Sequence, residues 1–129
     1  MIQKVMVDTS VWIDFFNGVD SPEAKLLADG LEDGNTIFLC PTIIQEVLQG
    51  IKKDSQFRQV KEYLLALDIL NDNALELSLM AADVYRYLRK RGVTIRKSND
   101  CLIASYAIRH KLSVLHKDRD FDLILDNYK

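Results

Sequence analysis

A short apolar run near the start of the sequence ends directly in a carboxylate, and this junction constrains the fold more than any other stretch. Residues 2–16 are IQKVMVDTSVWIDFF, in which Lys4–Val7 has the pattern of a buried strand and Asp8 follows at its carboxyl end. Thr9 or Ser10 is expected to cap a helix immediately afterwards. A charge at the end of a buried strand costs free energy unless it is compensated. We therefore hypothesise that Asp8 begins a cluster of carboxylates that holds a divalent metal ion.

The rest of the chain alternates between helical and strand-like segments. Short apolar runs at 36–40, 67–70 and 112–115 predict three more strands. Helical spacing of apolar residues, with start and stop signals at the ends, predicts helices at 9–16, 22–32, 41–49, 54–66, 74–91 and 100–110. The predicted helix caps are Ser21, Asn73, and either Ser98 or Asn99. This order predicts an α/β sandwich around a mainly parallel sheet, whose sites form beyond the carboxyl ends of the strands.

Composition places the chain among globular proteins and excludes several classes of function. The 129 residues are expected to form one domain, 1–129, with 28% charged and 48% hydrophobic residues. A net charge of −2 means that an anionic partner must be held by a local patch or through a metal ion. Cys40 and Cys101 lie in apolar runs and are expected to be reduced core residues in a cytoplasmic protein. Neither a signal peptide nor a membrane span is expected.

Four carboxylates occupy positions where a surface charge would be unusual. Asp8 ends the first strand, Glu46 lies on an otherwise apolar helix, Asp100 lies in the first turn of a buried helix, and Asp118 follows the last strand. Each of these acids also has an explanation that needs no metal ion, and that explanation is weakest for Asp8. Asp100 could interact with the positive end of its helix, Glu46 could be solvated, and Asp118 could cap the final helix.

Clustered carboxylates point to a hard cation such as Mg²⁺ or Mn²⁺, which prefers several oxygen ligands. Without such an ion the like charges repel one another, and some of the groups take up protons. A bound divalent ion polarises phosphoryl oxygens and activates water as a nucleophile. Phosphodiester hydrolysis is the reaction that best uses these abilities, since the sequence offers no evident serine or cysteine nucleophile.

Four segments of the sequence, taken together, resemble the PIN-domain ribonucleases. These segments are VDTSVWIDFF, PTIIQEVLQG, SNDCLIASYAIRH and LHKDRDFD, and they occur in the family's order along the whole chain. Within the family, the sequence looks most like the VapC toxins of bacterial and archaeal toxin–antitoxin pairs. The resemblance implies a three-layer α/β/α domain that cleaves RNA with Mg²⁺ or Mn²⁺ and inhibits translation. It also implies a homodimer and a cognate VapB-like antitoxin whose C-terminal segment blocks the site.

The resemblance also implies roles for individual residues. The family's catalytic acids fall on Asp8, Glu46, Asp100 and Asp118. The first, third and fourth of these are the expected metal ligands. The family's hydroxyl beside the first acid falls on Thr9 or Ser10, of which Ser10 could hydrogen-bond a ligand carboxylate. Two alternatives remain for Asp120, as an outer ligand or as a solvent-facing helix residue, and Asp14 and Asp122 are expected at the surface or behind the ligands.

A basic stretch leads directly into the helix that carries Asp100. Between Asp83 and Asp100 the sequence has no acidic residue and six positive charges, namely Arg86, Arg89, Lys90, Arg91, Arg96 and Lys97. This stretch could bind RNA phosphates, which would give affinity rather than sequence choice. Alternatively, its cations simply suit the carboxyl end of a solvated helix.

Two other functions compete with the ribonuclease. A metal-dependent phosphatase of the haloacid-dehalogenase type needs a second acid two residues after the first, where this chain has Ser10. A non-catalytic PIN-like module that binds RNA or protein would not need the acids, and all four are present here. Ribonuclease activity is therefore the preferred prediction.

Overall fold

Residues 3–128 are described in a computed structural model of the chain, so Ile2, with which the opening stretch begins, lies outside the described part. Four strands and seven helices alternate within these residues. In chain order they are β1 (Lys4–Val7), α1 (Thr9–Asn17), α2 (Pro22–Glu32), β2 (Thr36–Leu39), α3 (Pro41–Gln49), α4 (Asp54–Leu65), β3 (Asp68–Ile69), α5 (Ala74–Lys90), α6 (Ser98–Arg109), β4 (Ser113–Leu115) and α7 (Arg119–Asn127).

The four strands form one sheet in the order β3-β2-β1-β4, and every pairing is parallel. The helices flank this sheet, as the three-layer α/β/α prediction requires, and the mainly parallel sheet that was predicted proves to be entirely parallel. In register, Val5 pairs with Ile37 on one side and with Ser113 on the other. The chain therefore leaves β1 toward β2 and later returns to its opposite side as β4. Such a reversal opens a crevice at the carboxyl ends of β1 and β4.

Packing in the apolar core holds the helices against the sheet. Val7, Trp12, Leu64 and Ile103 are completely shielded from solvent, and they come from β1, α1, α4 and α6. The Trp12 ring stacks on Phe16 at a centroid distance of 5.7 Å. Burial of side chains of this size contributes about 1.5–3 kcal/mol each, which fixes α1 and α6 beside the crevice.

Both cysteines belong to this core, as predicted. Cys40 and Cys101 are free and buried. Burial raises the pKa of each thiol to about 11. The thiols are therefore protonated at neutral pH and take no part as nucleophiles.

The helix starts agree with the sequence at two places and differ at two others. Ser21 and Asn73 accept hydrogen bonds from the backbone N–H groups of Ala24 and Glu76, as predicted for caps. The prediction that Thr9 or Ser10 caps α1 is wrong, because Asp8 is the cap and accepts from the Ser10 N–H. A carboxylate at the end of a strand thus begins the next helix directly.

At α6 the predicted cap is also wrong. Ser98 and Asn99 are already helical, and Lys97 is the capping position, without a side-chain cap bond. The Asn99 amide is engaged elsewhere, as described below. Differences at the other ends amount to one or two residues, with β3 reduced to Asp68–Ile69 and β4 to Ser113–Leu115. Within residues 3–128, no helix has both the length and the apolar character needed to cross a bilayer.

Candidate active site

The crevice receives carboxylates from both strands that border it. Asp8 follows β1, and its backbone N–H donates to the Leu115 carbonyl at 2.9 Å, which joins it to the end of β4. Asp118 lies three residues after that strand and caps α7 through a bond from the Asp120 N–H to its Oδ1, 2.9 Å long. Parallel pairing therefore brings the first and last of the predicted acids to one edge of the sheet.

Three of the four predicted acids stand at helix N-termini. Asp8 and Asp118 cap α1 and α7, and Asp100 lies in the first turn of α6. Helix N-termini carry partial positive charge and unpaired N–H groups, so each helix favours the ionised form of its own carboxylate. The alternative readings of Asp100 and Asp118 as helix-terminal residues are therefore compatible with a role in the site.

Glu46 reaches the site from the middle of α3 and is held by two donors. The Thr9 hydroxyl donates to its Oε1 at 2.7 Å, and the Asn99 amide donates to its Oε2 at 3.2 Å. The Ser10 hydroxyl instead donates to Asp8 Oδ2 at 2.9 Å. The two adjacent hydroxyls thus serve different acids. From the sequence, Asn99 was predicted only as a possible helix cap, and no neighbouring residue in the sequence indicates the contact with Glu46.

Asp100 is the most unusual group in the site. It is 6% exposed, and its Oδ2 is buried without a hydrogen-bond partner among residues 3–128. Burial, followed by repulsion from Asp8 and Asp118, raises the pKa of Asp100 to about 7, whereas Lys97 acts in the opposite direction. Burial also raises the pKa of Asp8, although the Ser10 hydrogen bond lowers it in part. A buried oxygen atom without a partner is costly unless a cation satisfies it.

Asp118 and Asp120 both approach Asp100. One oxygen atom from each of the three carboxylates lies within 4.8 Å of the others. The side chain of Asp120 is 4% exposed and that of Asp118 is 19% exposed. Asp120 therefore does not face solvent, and the structure excludes that alternative. Both acids are close enough to Asp100 to share a cation with it.

Two adjoining clefts contain these groups. The larger, of about 570 Å³, is lined by Asp8, Ser10, Arg96, Lys97, Asp100, Lys117, Asp118 and Arg119. The smaller, of about 190 Å³, is lined by Asp8, Thr9, Ser10, Ile13, Glu46, Lys97 and Asp100. They share Asp8, Ser10, Lys97 and Asp100, so the four predicted acids line two adjoining clefts. Their available ligands are oxygen atoms, which suit a hard divalent cation rather than a soft one.

The predicted basic stretch divides into two groups. Arg96 and Lys97 line the larger cleft. Arg91 and Arg89, by contrast, lie over the rings of Tyr87 and Tyr85, at 3.5 and 5.7 Å from the ring centroids. The two remaining members also lie outside that cleft, with Arg86 bordering a separate groove beside the start of α6 and Lys90 exposed at the end of α5.

Lys117 and Arg119 also line the larger cleft, and neither was predicted from the sequence as a site residue. The Lys117 ammonium pairs with Asp14 on α1. The preceding residue, His116, contacts Asp122 at 3.0 Å. Asp14 thus holds a basic residue of the cleft, whereas the Asp122 side chain is 65% exposed and lies at the surface. The only sequence signal for Lys117 and Arg119 was their position in the segment HKDRDFD, after the last strand.

Comparison with known proteins gives consistent results. The model of the family described as PIN domain matches residues 5–124. The chain is 37% identical over 125 residues to VapC ribonuclease Mb1587 of Mycobacterium bovis and to Ribonuclease VapC11 of Mycobacterium tuberculosis, covering 93% of this chain and 90% of each relative. Its fold is similar to that in the crystal structure of VapBC2 from Rickettsia felis bound to a promoter DNA fragment. That similarity has a TM-score of 0.74 and 22% identity, over 95% of this chain and 93% of the other.

Replacing Asp100 with asparagine is expected to stabilise the metal-free protein at alkaline pH. The pKa of Asp100 is about 7 in the folded protein, against an ordinary value of 3.8. Folding therefore takes up a proton between these values, so that wild-type stability falls as the pH rises through this range. Since one pKa unit corresponds to about 1.4 kcal/mol, we expect Asp100→Asn to gain about 2–4 kcal/mol at about pH 8 and less toward about pH 5.

Urea unfolding in EDTA across this pH range measures that difference. Asp20→Asn, which changes an exposed loop carboxyl, is the matched control and should shift stability by less than about 0.5 kcal/mol. A difference between Asp100→Asn and wild type that does not vary with pH would contradict the pKa shift.

Proposed function

The chain belongs to the PIN domain family, and from that premise we propose that it is a ribonuclease that hydrolyses RNA phosphodiester bonds with a bound Mg²⁺ or Mn²⁺ ion. The observation that carries this proposal is the bare, buried Oδ2 of Asp100 beside three other acids. The 37% identity to two proteins named as VapC ribonucleases supports RNA as the substrate.

The metal ion would be held by Asp8, Asp100 and Asp118, with Asp120 close enough to contribute. When bound, such an ion polarises a phosphoryl oxygen and makes water a better nucleophile at neutral pH. Such a cation would favour the ionised form of Asp100, because its charge opposes the burial and the repulsion that raise the pKa of this group. The Ser10 hydroxyl keeps Asp8 Oδ2 in place for this arrangement.

The chain's other groups position the reactants. Glu46, whose two oxygen atoms are fixed by Thr9 and Asn99, borders the smaller cleft and accepts a hydrogen bond from the attacking water there. Lys97 and Arg119 line the larger cleft and bind the phosphates on either side of the bond that is cut. Because these contacts are to phosphates, they orient RNA without reading its sequence.

Substituting the acids is expected to abolish cleavage. Asp8→Asn, Glu46→Gln, Asp100→Asn and Asp118→Asn should each lower the rate by about 100-fold or more, as removal of a charge-stabilising group does in other enzymes. Structured RNAs incubated with purified, partner-free protein measure this, with Mg²⁺, with Mn²⁺ and with EDTA. Asp126→Asn, an exposed carboxyl on α7, is the control and should retain full activity.

The same assay separates the rival functions. Cleavage that persists in EDTA, or in Asp8→Asn, would refute the metal mechanism. A phosphatase would release phosphate from RNA ends without internal cuts, whereas a non-catalytic module would bind RNA and leave it intact. Internal cuts that require a divalent metal ion are the result we expect.

The hydroxyl on Thr9 is expected to affect activity through Glu46. Thr9→Val preserves side-chain shape but removes the 2.7 Å hydrogen bond to Oε1. Loss of a group that orients a catalytic ligand typically lowers affinity or activity by about 10–100-fold. Thr9→Ser retains the hydroxyl and should recover most of the rate under identical conditions. Equal rates for Thr9→Val and wild type would show that Glu46 does not need this contact.

We also infer that this ribonuclease is the toxin of a toxin–antitoxin pair and acts in the cytoplasm as a homodimer held by a VapB-like antitoxin. Exposed apolar side chains on two helices are available for such partners. Phe57, Tyr63 and Leu65 are 39–52% exposed on α4. Leu75 and Leu79 are 68% and 59% exposed, one helical turn apart on α5. Apolar side chains exposed in groups mark interaction surfaces more often than isolated ones.

Expression of the toxin is expected to arrest bacterial growth. The arrest should follow from RNA cleavage, so Asp8→Asn should relieve it at an equal protein level, verified by immunoblot. Growth curves after induction provide the measurement, and Asp126→Asn should remain toxic. Normal growth with active wild-type protein would refute the toxin assignment while leaving the nuclease chemistry intact.

A further inference from the structure

Arg96 occupies a distinctive position at the acidic crevice. Its Nη2 lies 3.2 Å from Asp118 Oδ1, and its Nε lies 3.3 Å from Asp120 Oδ2. Its backbone N–H also donates to that Asp120 oxygen at 3.3 Å. The guanidinium therefore bridges two of the three carboxylates that gather around Asp100. From the sequence, Arg96 was predicted only as one of six cations that could bind RNA phosphates.

The contacts of Arg96 differ from those of the other cations that line the larger cleft. Lys117 is paired with Asp14 behind the cleft. Lys97 affects Asp100 through its charge, lowering its pKa without a hydrogen bond between them among the described residues. Only Arg96, within residues 3–128, forms side-chain ion pairs with Asp118 and Asp120. It thus partly neutralises the acids at the place where a metal ion would do so.

The Arg96 side chain is also the kind of group that can be displaced. It is 69% exposed, so its guanidinium regains most of its hydration when it moves away. Water also screens the charge of so exposed a guanidinium, which weakens its hold on the two carboxylates. The ion pairs of Arg96 also leave Asp100 Oδ2 without a hydrogen-bond partner among residues 3–128. A divalent cation has twice the charge and can satisfy all three carboxylates together.

We propose that Arg96 acts as an internal counter-cation for Asp118 and Asp120, which a divalent metal ion must displace on binding. This role rests on the proposed function, since it concerns the same metal site. Arg96 is then a positioning residue that holds the metal-free acids in place and lowers the affinity for the metal ion. Removing it should strengthen metal binding, whereas removing a group that only shapes the ligands should weaken it.

The test measures binding of MnCl₂ alone, without RNA, to the full chain at neutral pH. Titration with detection of free Mn²⁺ by electron paramagnetic resonance gives the dissociation constant. Arg96→Gln is expected to tighten binding by about fivefold or more, the size of an ordinary coupling between two ligands. Arg96→Lys retains the charge without the planar fork and should fall between Arg96→Gln and wild type.

Lys97→Gln is the matched control, because it removes one positive charge from the same cleft without removing an ion pair to Asp118 or Asp120. Its effect on Mn²⁺ affinity should be clearly smaller than that of Arg96→Gln. Equal effects would mean that only the total charge matters, and weaker binding by Arg96→Gln would mean that Arg96 shapes the ligands. Either result would contradict the proposal that a metal ion displaces Arg96.

Thermal unfolding provides a second measurement and detects misfolding. In EDTA, Arg96→Gln should be less stable than wild type, because Asp118 and Asp120 lose their counter-charge. Saturating MnCl₂ should remove this deficit, since the ion replaces Arg96 in both proteins. A deficit that persists in saturating MnCl₂ would contradict the proposal.

The outcomes also separate this inference from the proposed function. If wild type binds Mn²⁺ and cleaves RNA but Arg96→Gln does not bind more tightly, only the role of Arg96 fails. If wild type neither binds Mn²⁺ nor cleaves RNA, the proposed function fails and the displacement fails with it.

Discussion

Repulsion among buried carboxylates is the constraint on which the arrangement of the crevice depends. Burial, and after it the charges of Asp8 and Asp118, oppose ionisation of Asp100 and raise its pKa to about 7. The fold reduces this cost with groups of partial or full positive charge. Three helix N-termini point toward the acids, a hydroxyl holds Asp8, and Arg96 bridges the acids on the far side. What remains of the cost must be offset by the apolar core.

The parallel sheet accounts for two of these three helix N-termini, those of α1 and α7, whereas α6 follows α5 without a strand between them. In a parallel sheet, every strand delivers the chain to the same edge, and the helix that follows begins there. Asp8 and α1 follow β1 in this way, and Asp118 and α7 follow β4. Glu46 is the exception, because it lies inside α3 and cannot benefit from a helix N-terminus. Its two hydrogen bonds from Thr9 and Asn99, which lie at the starts of α1 and α6, take over that task.

Much of this was accessible from the sequence, and the reason is that local signals were consistent with one another. Apolar periodicity gave the order of the elements to within a few residues, and the order alone predicts which strand ends meet. Caps were predicted correctly where the side chain has no other partner, as at Ser21 and Asn73. They were wrong at α1 and α6, where tertiary contacts decide. Asn99 bonds to Glu46, more than fifty residues away, and no local pattern contains that information.

The relation between Asp118 and Asp120 illustrates the same limit more sharply. Two acids two residues apart in the sequence require a choice between them as the ligand, and the first after the strand was preferred. The structure joins them instead, since the Asp120 N–H donates to Asp118 Oδ1 and Arg96 contacts both side chains. The cap bond that starts α7 also fixes the spacing of the two carboxylates. Because that bond joins the Asp120 backbone to the Asp118 side chain, we expect substitution of Asp118 to alter the position of Asp120 as well. The geometry of the pair is therefore set by the helix that it begins.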